Sequence, residues 1–143
     1  MKQELVGDWM TREVITISPN TTLAEAHKTM QEKRIRRLPV VDHDRIVGIV
    51  TLGDVRAAEP SQASSLSIWE MNDLLAKLKV AEVMTRHPMT IGQNASIGEA
   101  ARIMLDNKFS GLPVVDESAH LVGIITESDI FRLVASEWSK EKT

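Results

Sequence analysis

Hydrophobic and polar positions follow one pattern that the chain contains twice. Each copy opens with a short extended segment, residues 14–17 or 89–91, and continues into a helix whose apolar residues recur every three or four positions. The apolar helix positions are Leu23, Ala26 and Met30 in the first copy, and Ile97, Ala100, Ala101, Met104 and Leu105 in the second. A helix-capping residue, Thr22 or Ser96, precedes each run, with a glutamate three positions later. The pattern therefore predicts one capped, amphipathic helix in each copy.

Two apolar runs follow each helix and predict a β-hairpin. The first run begins at Pro39 or Pro113, residues that lack an amide donor and belong at strand starts or edges. The turns are residues 42–45 and 116–120, and the second runs are residues 46–50 and 121–125. A second helix is expected after Thr51 or Thr126. Each copy therefore has the order β-α-β-β-α, and the fold class is α/β (α+β).

The two copies are first related by a shift of 74 residues, which aligns Met10 with Met84. Over residues 10–42, 14 of 33 positions are identical to residues 84–116, and Leu-Pro-Val-Val-Asp occurs in both. One inserted residue then changes the shift to 75, so that Val-Gly-Ile-x-Thr-x-x-Asp begins at residue 47 and again at residue 122. Two such copies are too few for a solenoid. We therefore expect a pseudo-two-fold pair in which each copy covers surface that the other leaves exposed.

The repeat also predicts a division of the chain. The expected parts are a first copy at residues 1–57, a linker and connecting helix at 58–79, a second copy at 80–138, and a frayed tail at 139–143. Residues 57–65 are polar and include Pro60, as expected of a linker. The spacing of apolar residues over 66–78 predicts a helix. The apolar residues of this helix that are able to face a core are Trp69, Leu74, Leu75 and Leu78.

Composition narrows the classes of function. Of 143 residues, 43% are hydrophobic and 26% charged, as in ordinary soluble globular proteins. The net charge of −3 disfavours non-specific binding to nucleic acid or to an anionic membrane. Because there is no cysteine, disulfides, thiolate nucleophiles and zinc–thiolate sites are excluded. The N-terminus lacks a signal-peptide core and the apolar runs are too short to span a bilayer, so we expect a cytoplasmic protein without a nucleic-acid or membrane partner.

The strand-to-helix junctions after the second apolar runs are the candidate ligand sites. In each, a hydroxyl, Thr51 or Thr126, precedes a carboxylate, Asp54 or Asp129, by three residues at a predicted helix start. Unpaired N–H groups at a helix start attract phosphate, and a carboxylate can accept both vicinal hydroxyls of a ribose. The alternative is a capping box, in which these residues only close the helix start. Recurrence of the motif favours a ligand without excluding the cap, because duplication of a fold also duplicates its caps.

A family resemblance rests on these combined motifs. Leu-Pro-Val-Val-Asp, a short turn and Val-Gly-Ile-x-Thr-x-x-Asp, preceded by Met-Thr and a capped helix, resemble the cystathionine-β-synthase (CBS) domain. The tandem copies resemble a CBS pair, or Bateman module, over roughly residues 6–133. The linker and its Leu-Leu-Ala-Lys-Leu helix are also similar to the CBS-pair part of acetoin-utilisation type B proteins.

This resemblance implies a regulatory module that binds an adenine nucleotide, AMP, ADP or ATP, in clefts between the two copies. By analogy with the family, Asp54 and Asp129 bind the ribose hydroxyls, and Thr51 and Thr126 help to hold phosphate. The resemblance assigns main-chain groups and apolar side chains around adenine to Val14, Ile15, Thr16, Pro88, Met89 and Thr90.

Two arginines distinguish the copies. The resemblance implies that Arg36 and Arg37, just before Leu-Pro, face the phosphates. Ser110 and Gly111 stand at the equivalent positions of the second copy and supply no cation. Since charge-assisted bonds to phosphate are roughly twice as strong as neutral ones, the two clefts should differ in affinity.

No catalytic residue and no metal site is expected. The chain contains no Walker-type loop, no G-x-G-x-x-G motif and no nucleophile-elbow serine. Its four histidines lack the spacing of metal ligands. We therefore expect that it is not an enzyme and needs no cofactor beyond a regulatory nucleotide. The alternative function is a ligand-independent interaction module that forms a homodimer through the helices after Asp54 and Asp129. The apolar residues considered for that contact are Val55, Ile130, Leu133 and Val134.

Overall fold

Two compact units make up the structure. The computed structural model describes residues 4–59 and 67–141. The first-copy unit comprises Ile15–Pro88, and the second-copy unit joins the N-terminal segment up to Val14 to the chain from Met89 onward. The N-terminal segment up to Val14 therefore packs with the second copy, and residues 80–88 pack with the first. A division into residues 1–57 and 80–138 does not describe this exchange of segments.

Each unit contains a long helix, a β-hairpin and a second helix in the same order. Within the described residues the helices are α1 (Val6–Trp9), α2 (Leu23–Lys33), α3 (Leu52–Ala58), α4 (Ile68–Lys77), α5 (Val80–Val83), α6 (Ile97–Asn107) and α7 (Glu127–Glu141). The strands are β1 (Arg37–Asp42), β2 (Arg45–Thr51), β3 (Thr85–Arg86), β4 (Ile91–Gly92), β5 (Gly111–Val115) and β6 (Leu121–Thr126). The mixed α+β fold, with one small sheet in each unit, confirms the predicted class. The predicted capped helices, hairpins and second helices are all present.

The sheet of the first-copy unit has the order β1-β2-β3. Strand β2 pairs antiparallel with both neighbours, and Ile17 forms a parallel bridge to Val40 of β1. The first strand expected at residues 14–17 is therefore a single bridge. Side chains from α2, the hairpin, α3 and α5 form the core: Leu23, Ala26, Met30, Leu38, Val40, Val50, Val55, Val80 and Met84.

The sheet of the second-copy unit has the order β4-β5-β6. Strand β4 is parallel to β5, and β6 is antiparallel to it. Thr11 forms an antiparallel bridge to Ile124 of β6, as β3 does to β2 in the first-copy unit. The buried core comprises Val6, Met10, Ile91, Ile97, Ala100, Met104, Leu112, Val114, Ile125 and Leu133.

A repeated glycine lets the exchanged segment cross each hairpin closely. A Cβ on Gly123 would lie 2.6 Å from the sulfur of Met10 and 2.9 Å from the carbonyl oxygen of Thr11. Gly48 makes the equivalent approach to the Met-Thr pair at residues 84–85. The glycine of the Val-Gly-Ile-x-Thr motif therefore makes room for the Met-Thr segment.

The sequence signals that start the long helices form the expected caps. The Thr22 hydroxyl accepts the Glu25 N–H at 3.1 Å, and the Ser96 hydroxyl accepts the Glu99 N–H at 3.0 Å. Each bond satisfies one of the otherwise unpaired donors at a helix start, a contribution of about 1 kcal/mol.

Helix α4 is less buried than its sequence predicted. None of its residues is buried, and Trp69 is 80% exposed, so this side chain does not face the core that its helical spacing allowed it to face. Leu75 and Leu78 do pack against the core of the first-copy unit. The linker residues 60–66 lie outside the described residues.

Helix α7 extends beyond Trp138, where the sequence pattern placed the end of the second copy, and continues to Glu141. Residues 142 and 143 of the expected tail lie outside the described residues. Across residues 4–59 and 67–141, no helix combines the length and the apolar character needed to cross a membrane.

Candidate functional site

In the first-copy unit, the candidate site begins where β2 enters α3. The Thr51 hydroxyl accepts the Asp54 N–H at 3.1 Å, and the Asp54 carboxylate accepts the Thr51 N–H at 2.9 Å. These two bonds form a complete capping box. The capping box that the sequence offered as the alternative to a ligand site is therefore present.

Asp54 retains most of its hydrogen-bonding capacity. A carboxylate offers about four lone-pair positions on its two oxygens. Among the described residues, Oδ2 accepts only the Thr51 N–H, and Oδ1 accepts no donor. The residue is half-buried, so part of its surface remains accessible to solvent. The cap and a two-hydroxyl ligand can therefore share this carboxylate.

The backbone brings the two arginines to the same junction. Arg37 lies opposite Thr51 in the β1–β2 ladder, and the N–H of Leu52 donates to the carbonyl of Arg36 at 2.8 Å. Arg36 is exposed and Arg37 is half-buried. The main chain of Arg36 and Arg37 therefore lies beside the residues that start α3.

The positions predicted for adenine contact are divided between the units. Ile15, Thr16 and Pro88 belong to the first-copy unit, whereas Val14, Met89 and Thr90 belong to the second-copy unit. Thr16 is exposed and precedes Ile17, whose main chain bonds to Pro39 and Val41 of β1. The Thr16 segment therefore runs beside the strand that begins at Arg37.

The second-copy unit repeats the junction where β6 enters α7. Gly111 lies opposite Thr126 in the β5–β6 ladder, and the N–H of Glu127 donates to the carbonyl of Ser110 at 3.1 Å. These are the same backbone relations that Arg37 and Arg36 make in the first-copy unit. Ser110 and Gly111 thus occupy the equivalent places without supplying a positive charge.

Asp129 differs from Asp54 in burial and in its partners. It is only 3% exposed. Its Oδ2 accepts the N–H and the hydroxyl of Thr126 at 2.9 and 3.1 Å. Its Oδ1 accepts the Thr11 hydroxyl at 3.3 Å and the guanidinium of Arg132. Four donors therefore fill the approximate capacity of this carboxylate.

Thr11 and Arg132 are site residues that the sequence reasoning missed. Arg132 lies three positions after Asp129, one turn along α7, where the 75-residue shift places Ala57 in the first copy. Thr11 belongs to the exchanged N-terminal segment, so its contact with Asp129 spans 118 positions. A side-by-side comparison of the copies one turn beyond the aspartates would have identified Arg132, whereas no local signal points to Thr11.

Outside these two junctions, the described part of the chain offers few features that could bind a metal ion or a ligand. There, no cluster of three His, Asp or Glu side chains could hold a metal ion. An apolar cavity of about 590 Å³ lies between α6 and α7 of the second-copy unit. Its lining residues are Ala101, Met104, Leu105, Lys108, Phe109, Ser110, Glu127, Ile130 and Phe131.

Comparison with known proteins identifies the repeated unit. The CBS domain family model matches residues 6–61 and 80–136. The uncharacterized protein MJ1232 of Methanocaldococcus jannaschii is 38% identical over 133 residues, which are 93% of this chain and 40% of the relative. The chain thus spans less than half the length of this curated relative.

Solved structures of CBS-pair proteins are similar over nearly the whole chain. The acetoin utilization protein AcuB of Vibrio cholerae has 30% identity and a TM-score of 0.80, with 99% of this chain and 98% of that chain covered. CBSX2 of Arabidopsis thaliana, solved in complex with AMP, has 31% identity and a TM-score of 0.77, with coverage of 92% and 96%.

Two further similar structures contain other adenosine compounds. The CBS domain pair of MJ0100 is in complex with 5′-methylthioadenosine and S-adenosyl-L-methionine (32% identity, TM-score 0.76, coverage 95% and 99%). The cytosolic domain of the Mg²⁺ channel MgtE is in complex with ATP (27% identity, TM-score 0.73, coverage 91% and 48%).

Proposed function

The chain belongs to the CBS domain family, and we propose that it is a regulatory module that senses AMP, ADP or ATP. The AMP, ATP and S-adenosylmethionine complexes of similar CBS pairs support an adenosine-containing ligand. The ligand is bound and released unchanged, so the output is a change in the protein rather than a product. We also propose that the module acts in the cytoplasm.

The open carboxylate of Asp54 beside two arginines is the observation that carries this proposal. A ribose presents two neighbouring hydroxyl donors, and Asp54 keeps an oxygen without a donor among the described residues. Arg36 and Arg37 lie beside Thr51 at the same junction and supply the positive charge that a phosphate requires. This combination favours a phosphorylated nucleoside over adenosine or S-adenosylmethionine.

The adenine ring is proposed to lie against the extended segment that enters each copy. The residues involved are Val14, Ile15, Thr16, Pro88, Met89 and Thr90. Main-chain groups of these residues would read the edge of the base, and the apolar side chains would contact its faces. In the second-copy unit, Thr126 and Asp129 are the proposed counterparts of Thr51 and Asp54.

Calorimetric titration with AMP, ADP, ATP, adenosine and S-adenosylmethionine tests the ligand class. We expect the three nucleotides to bind more tightly than the two compounds that lack phosphate. A nucleotide at about 100 times its Kd should also add about 2.7 kcal/mol to the free energy of unfolding if it binds only the folded chain. Absence of binding by all five compounds would refute the proposal.

Asp54→Asn is the sharpest test of the ribose contact. Asparagine can still accept the Thr51 N–H, but it loses the charge and presents an amide donor to the ribose hydroxyls. Loss of hydrogen bonds to a charged group predicts roughly 10-fold to 100-fold weaker AMP binding at this site. Asp42→Asn, an exposed aspartate of the same unit paired with His43, is the matched control and should leave the Kd unchanged.

Chromatography of the nucleotide distinguishes sensing from catalysis. Prolonged incubation of the chain with ATP should return ATP alone. Stoichiometric or greater formation of ADP or AMP, absent from a control with the heat-inactivated chain, would contradict a purely regulatory function.

A second candidate function, self-association, is favoured by an apolar face of the second-copy unit. The exposed side chains on and between α6 and α7 are Leu105, Phe109, Phe131, Val134 and Trp138, between 40% and 71% accessible. Of the residues considered from the sequence, Val55 and Leu133 are buried in the cores, so their assignment to a dimer contact was wrong. We propose that the face packs on the same face of a second copy, since a two-fold contact buries one patch against itself.

Sedimentation equilibrium tests this contact. Phe131→Lys should convert a dimer to a monomer, whereas Trp69→Lys, an equally drastic change at an exposed position of α4, should not. A wild-type chain that stays monomeric at high concentration would refute the dimer while leaving the nucleotide proposal intact.

A further inference from the structure

We infer that Arg132 competes with a ribose for Asp129, so that the second-copy junction binds nucleotide weakly until this guanidinium is displaced. The inference rests on the proposed function, because it concerns how one of the two nucleotide sites is regulated. Its basis is the difference between two aspartates that occupy the same position in the two copies.

The competition follows from the hydrogen bonds of Asp129. Two donors from Thr126, one from Thr11 and one from Arg132 engage its two oxygens. A ribose that brings two hydroxyl donors must therefore remove existing donors. The Thr126 bonds belong to the helix start, which leaves the Arg132 and Thr11 bonds on Oδ1 as those to be exchanged.

Arg132 is the partner that can leave. Its side chain is 61% exposed, whereas that of Asp129 is 4% exposed. The guanidinium can therefore turn into water and be hydrated there, while the buried carboxylate would need a new partner. A ribose diol would supply that partner, but only after Arg132 gives up its charge-assisted bond to Asp129 and its 3.4 Å bond to the carbonyl oxygen of Trp9.

The first copy lacks this competitor. Ala57 stands one turn after Asp54, where Arg132 stands after Asp129. Asp54 accordingly accepts only the Thr51 N–H among the described residues. The difference between alanine and arginine at this position therefore accounts for the charged competitor at one junction and its absence at the other.

Installing the competitor in the open junction is the first arm of the test. Ala57→Arg places a guanidinium three residues after Asp54 on α3, at an exposed position. We expect AMP binding at this junction to weaken on the order of tenfold, because a charge-assisted bond must be broken first. Ala57→Gln, a long uncharged side chain at the same position, is the matched control and should leave the Kd close to that of the wild-type chain.

Removing the competitor from the occupied junction is the second arm. In an Asp54→Asn background, which weakens the first junction, Arg132→Ala should strengthen the remaining AMP binding on the order of tenfold. Arg102→Ala in the same background, which removes an exposed arginine of α6, should not. Melting curves identify any double variant that fails to fold. In that case the comparison of Ala57→Arg with Ala57→Gln tests the competition.

The outcomes separate the two proposals. If the wild-type chain binds none of the nucleotides, the proposed function fails. If the wild-type chain binds AMP but Ala57→Arg behaves like Ala57→Gln, and removal of Arg132 changes nothing, the nucleotide function stands and the competition is refuted.

Discussion

Gly123→Ala tests whether the repeated glycine exists to admit the exchanged Met-Thr segment. The new Cβ would lie 2.6 Å from the Met10 sulfur and 2.9 Å from the Thr11 carbonyl oxygen. The sulfur can rotate away, but the carbonyl cannot. Thr11 donates to Ile124 at 2.8 Å and accepts from it at 2.9 Å, so two backbone bonds fix its position. Relief of the clash therefore requires a shift of this bonded pair.

The expected cost follows from two opposing effects. Overpacking of a fitted site costs about 1–3 kcal/mol. Alanine regains about 0.5–1 kcal/mol relative to glycine in a strand, because the unfolded chain loses freedom. We therefore expect Gly123→Ala to lower the free energy of unfolding by up to about 2.5 kcal/mol. The shift of Thr11 should also lengthen its 3.3 Å bond to Asp129.

Gly98→Ala is the matched control in the same unit. Its Cβ would meet nothing closer than the Ser96 hydroxyl at 3.8 Å, and Gly98 lies within α6. Alanine there should raise the free energy of unfolding by about 0.5–1 kcal/mol. Urea unfolding followed by circular dichroism measures both changes. A Gly123→Ala chain as stable as the Gly98→Ala chain would refute the close-approach argument.

Three further predictions concern the cap, a turn and the phosphate contact. Ser96→Ala should lower the free energy of unfolding by about 1 kcal/mol in the same urea assay, because α6 loses its cap. The N–H of His120 holds the pKa of Asp116 below its usual 3.8, so this carboxylate stabilises the fold above that pH and the contribution is lost as pH falls through the lowered pKa. NMR titration should find the pKa still lowered in His120→Ala, since the main-chain donor remains; a return to 3.8 would refute this cause. Arg37→Ala should weaken ATP binding more than adenosine binding and reduce its salt dependence in calorimetry; equal weakening of both ligands would contradict a phosphate contact.

Local signals predicted most of the secondary structure. The caps at Thr22 and Ser96 and the apolar runs on either side of a turn act within a few residues, so the helices and hairpins follow from the sequence. The exchange of segments does not, because pairing of Thr11 with Ile124 depends on contacts between distant parts of the chain. Trp69 shows the same limit: it lies in a helix as predicted, but helical spacing alone does not tell which face has a neighbour.

The candidate site was predictable only in part for the same reason. The register of the first hairpin brings Arg37 beside Thr51, so residues singled out by motif lie together. The sequence could not separate a cap from a ligand site, because Thr-x-x-Asp suits both. The structure contains the cap, and the two copies differ in the remaining acceptor positions. Within residues 4–59 and 67–141, Asp54 keeps an oxygen that accepts no donor, whereas Thr11 and Arg132 donate to the corresponding oxygen of Asp129.

A crystal structure of the chain grown with saturating AMP tests the central claim most directly. The account predicts AMP at the β2–α3 junction, with both ribose hydroxyls within hydrogen-bond distance of the Asp54 carboxylate and the phosphate beside Arg36 and Arg37. The Thr51 N–H bond to Asp54 should persist, since the cap and the ligand use different acceptor positions. A junction without nucleotide at saturating AMP, or a nucleotide whose ribose does not contact Asp54, would contradict the account.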